Sequence, residues 1–173
     1  IQSLGLRDVA EFDQEEKLIG GPVTPEDALV EMKVNNFTHE VSRDSSTPGG
    51  GSIAALSGSL GAALTSMVAN LSTGGRGTKD IDPILMPVAD KAQELKDDLL
   101  KAVDEDTNAY DKYIEAKQMP KSRKEEREKR KKAMEEGIKH AVKVPMDTAK
   151  TSFEVFDLAE KVAEHGKADA VSD

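Results

Sequence analysis

The chain has 173 residues, a length at which a single domain can bury a hydrophobic core without disulfides or a metal. It contains no cysteine, which excludes a disulfide framework, a zinc knuckle and a thiol nucleophile. A net charge of -9 and an aromatic content of 3% argue against nucleic acid as a partner. Nucleic-acid-binding proteins hold the phosphate backbone with an excess of Lys and Arg and stack bases on aromatic side chains, and this chain is poor in both features. Residues 1–10 lack the basic start and apolar run of a secretory leader, so we expect a cytoplasmic protein.

The first 23 residues are interpreted as a linker or tail. An amphipathic piece from Leu4 to Ile19 ends at the breaker Gly20-Gly21-Pro22. A helix is then predicted from Thr24 to about Val41, because Thr24 can cap it, Pro25 suits its first position and two acids follow. We therefore place the main domain at residues 24–173.

A second helix is predicted over Ile53 to Leu71. The chain carries no charged residue from Ser45 through Gly75, and small residues lie all around this helix. Such a helix is expected to be surrounded by others at close range. It is also long enough to cross a membrane, but its Ser, Thr and Asn residues dilute the apolar content and favour a buried helix of a soluble protein.

Three more helices are predicted in the second half of the chain. One runs from Val88 to Lys117 after Pro83 and Pro87, the next from Lys124 to His140 before a break at Val144-Pro145, and the last from Thr148 to Glu164. No segment alternates with a period of two. The predicted fold is therefore an all-α antiparallel bundle of long helices.

Two aspartates on the third helix differ in their surroundings. Asp104 and Asp106 are separated by about 200° of helix rotation, so they point in opposite directions. Asp104 shares its face with polar residues and is predicted to face solvent, whereas Asp106 lies on the apolar face with Leu95 and Leu99. Burial disfavours a charged carboxylate and raises its pKa, which makes Asp106 a candidate general acid or base. An Asp that only packs helices together gives the same spacing.

A glycine-rich entry to the second helix is the other feature that could bind a ligand. Gly49, Gly50, Gly51 and Ser52 can leave backbone N–H groups free at the positive end of a helix, which suits an anionic or carbonyl-bearing ligand. A flexible turn between two helices explains the glycines equally well. The segment matches neither of the common nucleotide-binding loops.

Other charged or metal-binding residue types give weaker signals. The eight basic and five acidic residues between Lys121 and Glu136 are typical of a solvated helix with ion pairs four residues apart. His39, His140 and His165 are far apart in the sequence, so no metal site is predicted.

The stretch Ser42-Arg43-Asp44-Ser45-Ser46-Thr47-Pro48-Gly49-Gly50-Gly51-Ser52-Ile53-Ala54-Ala55 resembles the opening of the formimidoyltetrahydrofolate cyclodeaminase family. Further similarities follow in the same order as in the family. Val103 to Tyr110 resembles the acidic helix segment of the family, and Ala116 to Pro120 resembles the turn that follows it. Val144 to Met146 resembles a later helix, and Gly166 to Asp173 resembles the start of the final conserved block. The resemblance covers residues 27–173. Residues 3–19 resemble the connector that joins a formiminotransferase to a cyclodeaminase.

The resemblance implies an all-α homodimer or higher oligomer, with active sites between subunits and Asp106 at the catalytic position. It implies a tetrahydrofolate derivative as substrate, no cofactor and no metal, and conversion of 5-formimidoyltetrahydrofolate to 5,10-methenyltetrahydrofolate plus ammonia in histidine-derived one-carbon metabolism. Gly49, Gly50, Gly51 and Ser52 are then expected to contact this substrate. Arg76 and Lys79 are expected at its anionic tail, although relatives carry more basic residues at that place.

Two alternatives remain. A methenyltetrahydrofolate cyclohydrolase has the same fold and cannot be separated from a cyclodeaminase by these motifs. A catalytically silent helical interaction module is favoured if no folate binds or if Asp106 is fully exposed. Because similar proteins continue beyond the position of Asp173, we also expect the domain to be truncated at its C-terminus.

Overall fold

The computed structural model describes residues 28–170 together with 172 and 173. Its elements are a 3₁₀ helix at Leu29–Glu31, helix α1 at Val34–Val41, α2 at Gly50–Ser72, α3 at Asp82–Gln118, α4 at Lys124–His165 and a 3₁₀ helix at Ala168–Ala170. No strand occurs in these residues. Helices α2, α3 and α4 pack on one another, which confirms the prediction of an all-α fold. The interpretation of residues 1–23 as a linker falls outside the described residues.

Helix α2 forms the centre of the packing and runs antiparallel to α3. Three serines spaced seven residues apart, Ser52, Ser59 and Ser66, donate hydroxyl hydrogen bonds to backbone carbonyls of α3 at 2.8, 3.1 and 3.1 Å. On another face, Gly58 lies so close to α4 that a Cβ atom there would be 2.6 Å from the Ser152 hydroxyl. Small residues therefore let α2 approach both neighbours, as the sequence predicted for residues 53–71.

Two predicted breaks are wrong because the helices continue through proline. Helix α3 starts at Asp82, six residues before the predicted Val88, and contains Pro87. Helix α4 is one helix of 42 residues with Pro145 inside, where two helices were predicted. Pro145 is exposed, while Val144 and Thr148 beside it are buried. Packing of that buried face holds the helix together, and solvent can reach the carbonyl that loses its partner.

The prediction of one helix from Thr24 to Val41 is also wrong in the described part. The chain forms the 3₁₀ turn at Leu29–Glu31, becomes extended at Met32 and Lys33, and then forms α1. Leu29 and Phe37 are buried in a small cluster with Ala55 of α2 and Val103 of α3. This cluster anchors the N-terminal segment beside the start of α2.

Helix α2 is the one helix among the described residues that is long and apolar enough, by length and composition alone, to cross a membrane. Its most apolar window has a mean hydropathy of 1.5, and 44% of that window is buried in the fold. The same properties occur in core helices of soluble proteins.

Candidate functional site

Asp106 lies against the N-terminus of α2. The backbone N–H of Ser52 donates to Oδ2 of Asp106 at 2.9 Å, and the Ser52 hydroxyl lies 3.4 Å from the same oxygen. Ser52 is fully buried, and its hydroxyl also lies 3.3 Å from that of Thr107. A negative charge is favoured at this position because the free N–H groups and the dipole of α2 point toward it. The side chain is half-buried, so the full exposure that would favour a silent module is not found.

The two oxygens of the Asp106 carboxylate have different surroundings. Oδ2 receives the hydrogen bond from Ser52, whereas no hydrogen bond from any described residue reaches Oδ1. One oxygen is thereby anchored, and the other has no hydrogen-bond donor among the described residues. This is the geometry that a positioned acid or base needs.

Gly51 is required by the position of Asp106. A Cβ atom on Gly51 would overlap with the carboxylate, whereas one on Gly50 would meet nothing within 4 Å. Of the four residues expected to contact substrate, Gly51 and Ser52 therefore contact Asp106 in this structure. Gly49 and Gly50 lie at the N-terminal edge of α2, and Gly50 is exposed.

The prediction that Asp104 faces solvent is wrong. Asp104 is half-buried and its Oδ1 accepts a 2.7 Å hydrogen bond from the backbone N–H of Leu29. A third carboxylate of α3, Asp111, accepts a longer bond of 3.4 Å from the hydroxyl of Thr47. Sequence reasoning missed these contacts because their partners are in separate segments whose positions depend on the tertiary fold. Asp104, Asp106 and Asp111 of α3 thus each contact a different part of the N-terminal region.

Arg76 and Lys79 lie far from Asp106 within one chain. Both are exposed in the loop between α2 and α3, and neither forms an ion pair with any described residue. The loop follows Ser72, the last residue of α2, whereas Asp106 contacts Ser52 near the start of the same helix. These two serines are 20 residues apart, which is a distance of about 30 Å along the helix. A single chain therefore does not bring these cations to the Asp106 carboxylate.

A separate groove of about 510 Å³ runs between α3 and α4, and Asp106 does not line it. Its floor is apolar and its rim is charged, including Glu105 and Lys112 of α3 and His140 of α4. Lys143 and Asp147 on the same rim are paired at 2.6 Å, which raises the pKa of Lys143 and lowers that of Asp147. The direct hydrogen bond is the main cause in both cases. Among the described residues no three His, Asp or Glu side chains are grouped to hold a metal ion.

Comparison with known proteins places this geometry in a family. The model of the family described as "Formiminotransferase-cyclodeaminase" matches residues 33–173, which include Ser52 and Asp106. The chain belongs to this family. The matched range spans α1 to α4, so the family assignment rests on the whole described bundle.

Named relatives of the chain include a "Formimidoyltransferase-cyclodeaminase" from Gallus gallus, which is 36% identical over the full chain. The chain spans 32% of that relative's length. A "Methenyltetrahydrofolate cyclohydrolase" from Methylorubrum extorquens is 36% identical over 140 residues, covering 81% of this chain and 67% of the relative. A solved formiminotetrahydrofolate cyclodeaminase from Thermotoga maritima superposes with a TM-score of 0.69 at 26% identity, over 82% of this chain and 66% of that one.

Proposed function

We propose that this family member is a formimidoyltetrahydrofolate cyclodeaminase, an ammonia-lyase that converts 5-formimidoyltetrahydrofolate to 5,10-methenyltetrahydrofolate. The observation that supports this most strongly is the half-buried Asp106, whose Oδ2 is anchored by Ser52 while its Oδ1 receives no hydrogen bond from a described residue. The family assignment and the cyclodeaminase neighbour support chemistry on folate one-carbon groups.

In the proposed mechanism the substrate supplies both reacting groups. N10 attacks the carbon of the N5-formimidoyl group in its protonated amidinium form, and the tetrahedral centre collapses as the carbon–nitrogen bond to the leaving NH₂ group breaks. The N10 proton must be removed, and the leaving nitrogen must gain a proton to depart as ammonia. Oδ1 of Asp106 accepts the first and supplies the second, so no net proton is consumed by the protein. Holding N10 near the carbon provides the remaining acceleration, and no cofactor takes part in these steps.

The site residues divide into two roles in this proposal. Gly51 and Ser52 position Asp106, because one makes room for its carboxylate and the other hydrogen-bonds to it. Gly49 and Gly50, at the exposed edge of α2, lie beside the pterin or the glutamate carboxylates. Arg76 and Lys79 bind the anionic tail, since they are cations without an ion-pair partner among the described residues.

The test is turnover of 5-formimidoyltetrahydrofolate by Asp106→Asn, followed through the near-ultraviolet absorbance of the methenyl product. We expect a loss of about 10²- to 10⁴-fold, the usual contribution of a positioned acid–base group. Asp104→Asn is the matched control. Asp104 is on the same helix and equally half-buried but bonds to the Leu29 backbone, so we expect its turnover to stay within a few-fold of wild type. Full activity of Asp106→Asn would refute the assignment.

The second candidate is a methenyltetrahydrofolate cyclohydrolase. The Methylorubrum extorquens relative with that name favours it, because it is 36% identical over 81% of this chain, the same identity that the chicken relative has over the full chain. Ammonia release from the formimidoyl substrate supports the cyclodeaminase, whereas hydrolysis of methenyltetrahydrofolate without ammonia release supports the cyclohydrolase.

Three properties of the biological setting belong to the same proposal. We place the enzyme in the cytoplasm, in the degradation of histidine, as the family resemblance implies. We also propose that it acts as a homodimer with its active sites between subunits. The wide separation of Arg76 and Lys79 from Asp106 in one chain supports such an arrangement.

A further inference from the structure

Both tyrosines of the chain lie on α3, shortly after Asp106. Tyr110 follows Asp106 by four residues, which places it about 40° around the helix and about 6 Å along its axis. Aromatic side chains of a helix point back toward its N-terminus, which directs the Tyr110 ring toward the turn that carries Asp106. An aromatic ring and the candidate catalytic carboxylate therefore share one face of α3.

The ring of Tyr110 is supported from within the fold and is also accessible. The side chain is 36% exposed, and the Tyr113 ring lies 6.3 Å from it between centroids, at an angle of 59°. This separation is within the range of favourable aromatic pairs. Tyr113 is held by α4, because a Cβ atom on Gly137 would lie only 3.0 Å from its Cα atom. The fold thus presents Tyr110 as an oriented ring, and a ligand that binds it has little side-chain freedom to remove.

No other described aromatic residue has this combination of exposure and position. Phe37 is buried in the N-terminal cluster. Phe153 and Phe156 are 68 and 70% exposed, but Phe153 is about 180° around α4 from the buried Val144 and points away from α3. Among the described residues no hydrogen bond involves the Tyr110 hydroxyl. The flat ring is therefore the part of this side chain that a ligand can use.

We propose that Tyr110 stacks against the pterin ring of the substrate, an assignment that rests on the proposed cyclodeaminase function. The pyrimidine part of tetrahydropterin is flat and conjugated, and flat nucleobases bind exposed aromatic side chains in the same way. N5 is an atom of the pterin ring system. A ring stacked on Tyr110 therefore fixes the position and direction of the N5-formimidoyl group, one helix turn from Asp106.

This role differs from that of Asp106 in its kinetic signature. Stacking acts on the pterin equally in the ground state and in the transition state, so its loss should raise KM and leave kcat nearly unchanged. Loss of the Asp106 carboxylate should instead lower kcat, because proton transfer belongs to the transition state. A purely structural role of Tyr110 would change the free energy of unfolding without changing KM.

The first test is calorimetric titration with 5-formyltetrahydrofolate, which carries oxygen in place of the formimidoyl nitrogen and cannot release ammonia. We expect Tyr110→Leu to raise the dissociation constant about 5- to 100-fold, the usual effect of losing one stacked ring. Tyr110→Phe keeps the ring and should restore the dissociation constant to within about threefold of wild type. Circular dichroism confirms that both variants fold.

Phe153→Leu is the matched control for Tyr110→Leu. Phe153 also belongs to a tilted aromatic pair, with Phe156 at 6.4 Å and 57°, and it is exposed on a different helix. We expect its dissociation constant to equal that of wild type. Equal affinities of wild type and Tyr110→Leu, an equal loss in Phe153→Leu, or a wild-type chain that binds no folate would overturn the proposal.

The second test separates the two flat rings of folate. In an NMR titration with 6-methyltetrahydropterin and, separately, with p-aminobenzoylglutamate, we expect Tyr110→Leu to weaken binding of the first compound only. Weakening of the second compound alone would refute the assignment to the pterin. Ammonia release from the formimidoyl substrate with an unchanged KM in Tyr110→Leu would refute the stacking and leave the proposed function standing. A wild-type chain that binds folate without releasing ammonia would refute the function, and the binding comparison would still decide the role of Tyr110.

Discussion

The substitution Gly51→Ala tests the link between the glycine turn and the candidate catalytic carboxylate. The new Cβ atom would overlap with three atoms of the Asp106 carboxylate, which must then move away from the α2 N-terminus. The charge-assisted hydrogen bond from Ser52, 2.9 Å in the wild type, is lost or lengthened, at a cost of about 1.5–3 kcal/mol. The higher helix propensity of alanine offsets up to about 1 kcal/mol of this.

We therefore expect Gly51→Ala to lower the free energy of unfolding by about 2 kcal/mol and the Tm by about 4–8 °C. Urea denaturation followed by circular dichroism measures the first quantity. Gly50→Ala is the matched control: a Cβ atom there meets nothing within 4 Å, so we expect a neutral effect or a gain of about 0.5 kcal/mol.

A double-mutant cycle isolates the contact between the two residues. In an Asp106→Ala background the obstructing carboxylate is gone, so Gly51→Ala should no longer destabilise the protein, giving a coupling of about 2 kcal/mol. Equal effects of Gly51→Ala in the two backgrounds, or equal effects of Gly50→Ala and Gly51→Ala, would contradict the contact as described.

Three further substitutions test other parts of the structure. Ser52→Ala removes a fully buried hydroxyl and with it the hydrogen bond between α2 and the Val103 carbonyl of α3, so we expect a loss of about 1–2 kcal/mol in urea denaturation. Gly137→Ala places a Cβ atom 3.0 Å from the Cα of Tyr113, which belongs to the backbone and cannot move easily. We expect the free energy of unfolding to fall by about 1–3 kcal/mol. An unchanged urea midpoint would show that α3 and α4 can separate at this point at no cost. Lys143→Ala should raise the pKa of Asp147 toward 3.8, measured by NMR titration of its carboxyl carbon. Since the wild-type pKa is lowered on folding, the pair stabilises the protein above the unfolded-state pKa and this contribution is lost as the pH falls through the folded-state value. An Asp147 pKa unaffected by the substitution would contradict the assigned cause.

Much of the site can be predicted from local sequence. The family-like glycine segment and Asp106 stand out because glycines before an uncharged helix, and an acid on an apolar helix face, are visible in the order of residues alone. The contacts that join the glycine segment to Asp106 cannot be predicted from the order of residues. Ser52 and Asp106 are 54 residues apart, and which α3 carboxylate meets the α2 N-terminus depends on the rotation and register of the two helices. The same reason explains the wrong assignment of Asp104, whose partner Leu29 is 75 residues away.

Helix continuity shows the same division between local and tertiary effects. A proline predicts a helix break because it removes one backbone hydrogen bond and its ring clashes with the preceding turn. This prediction is correct for a helix that does not pack on other elements. At Pro145 the buried residues on either side pack on the bundle, and that burial outweighs the lost bond. The N-terminal segment shows the reverse, since capping signals predicted a long helix and the chain instead folds Leu29 and Phe37 into a separate small cluster.

Sequence alone determined the all-α class and the central uncharged helix, and it singled out Asp106 as the candidate acid, because helix periodicity, charge and glycine placement act over a few residues. Tertiary structure decided that Asp106 is anchored through one oxygen, that Gly51 makes room for it, and that Arg76 and Lys79 lie at the far end of α2. It also showed that Leu60, Leu64, Met67 and Leu71 of α2 face outward, not into the core. The physical reason is that a helix with apolar residues on every side can bury any of them. Only packing against its neighbours selects the side that is left exposed.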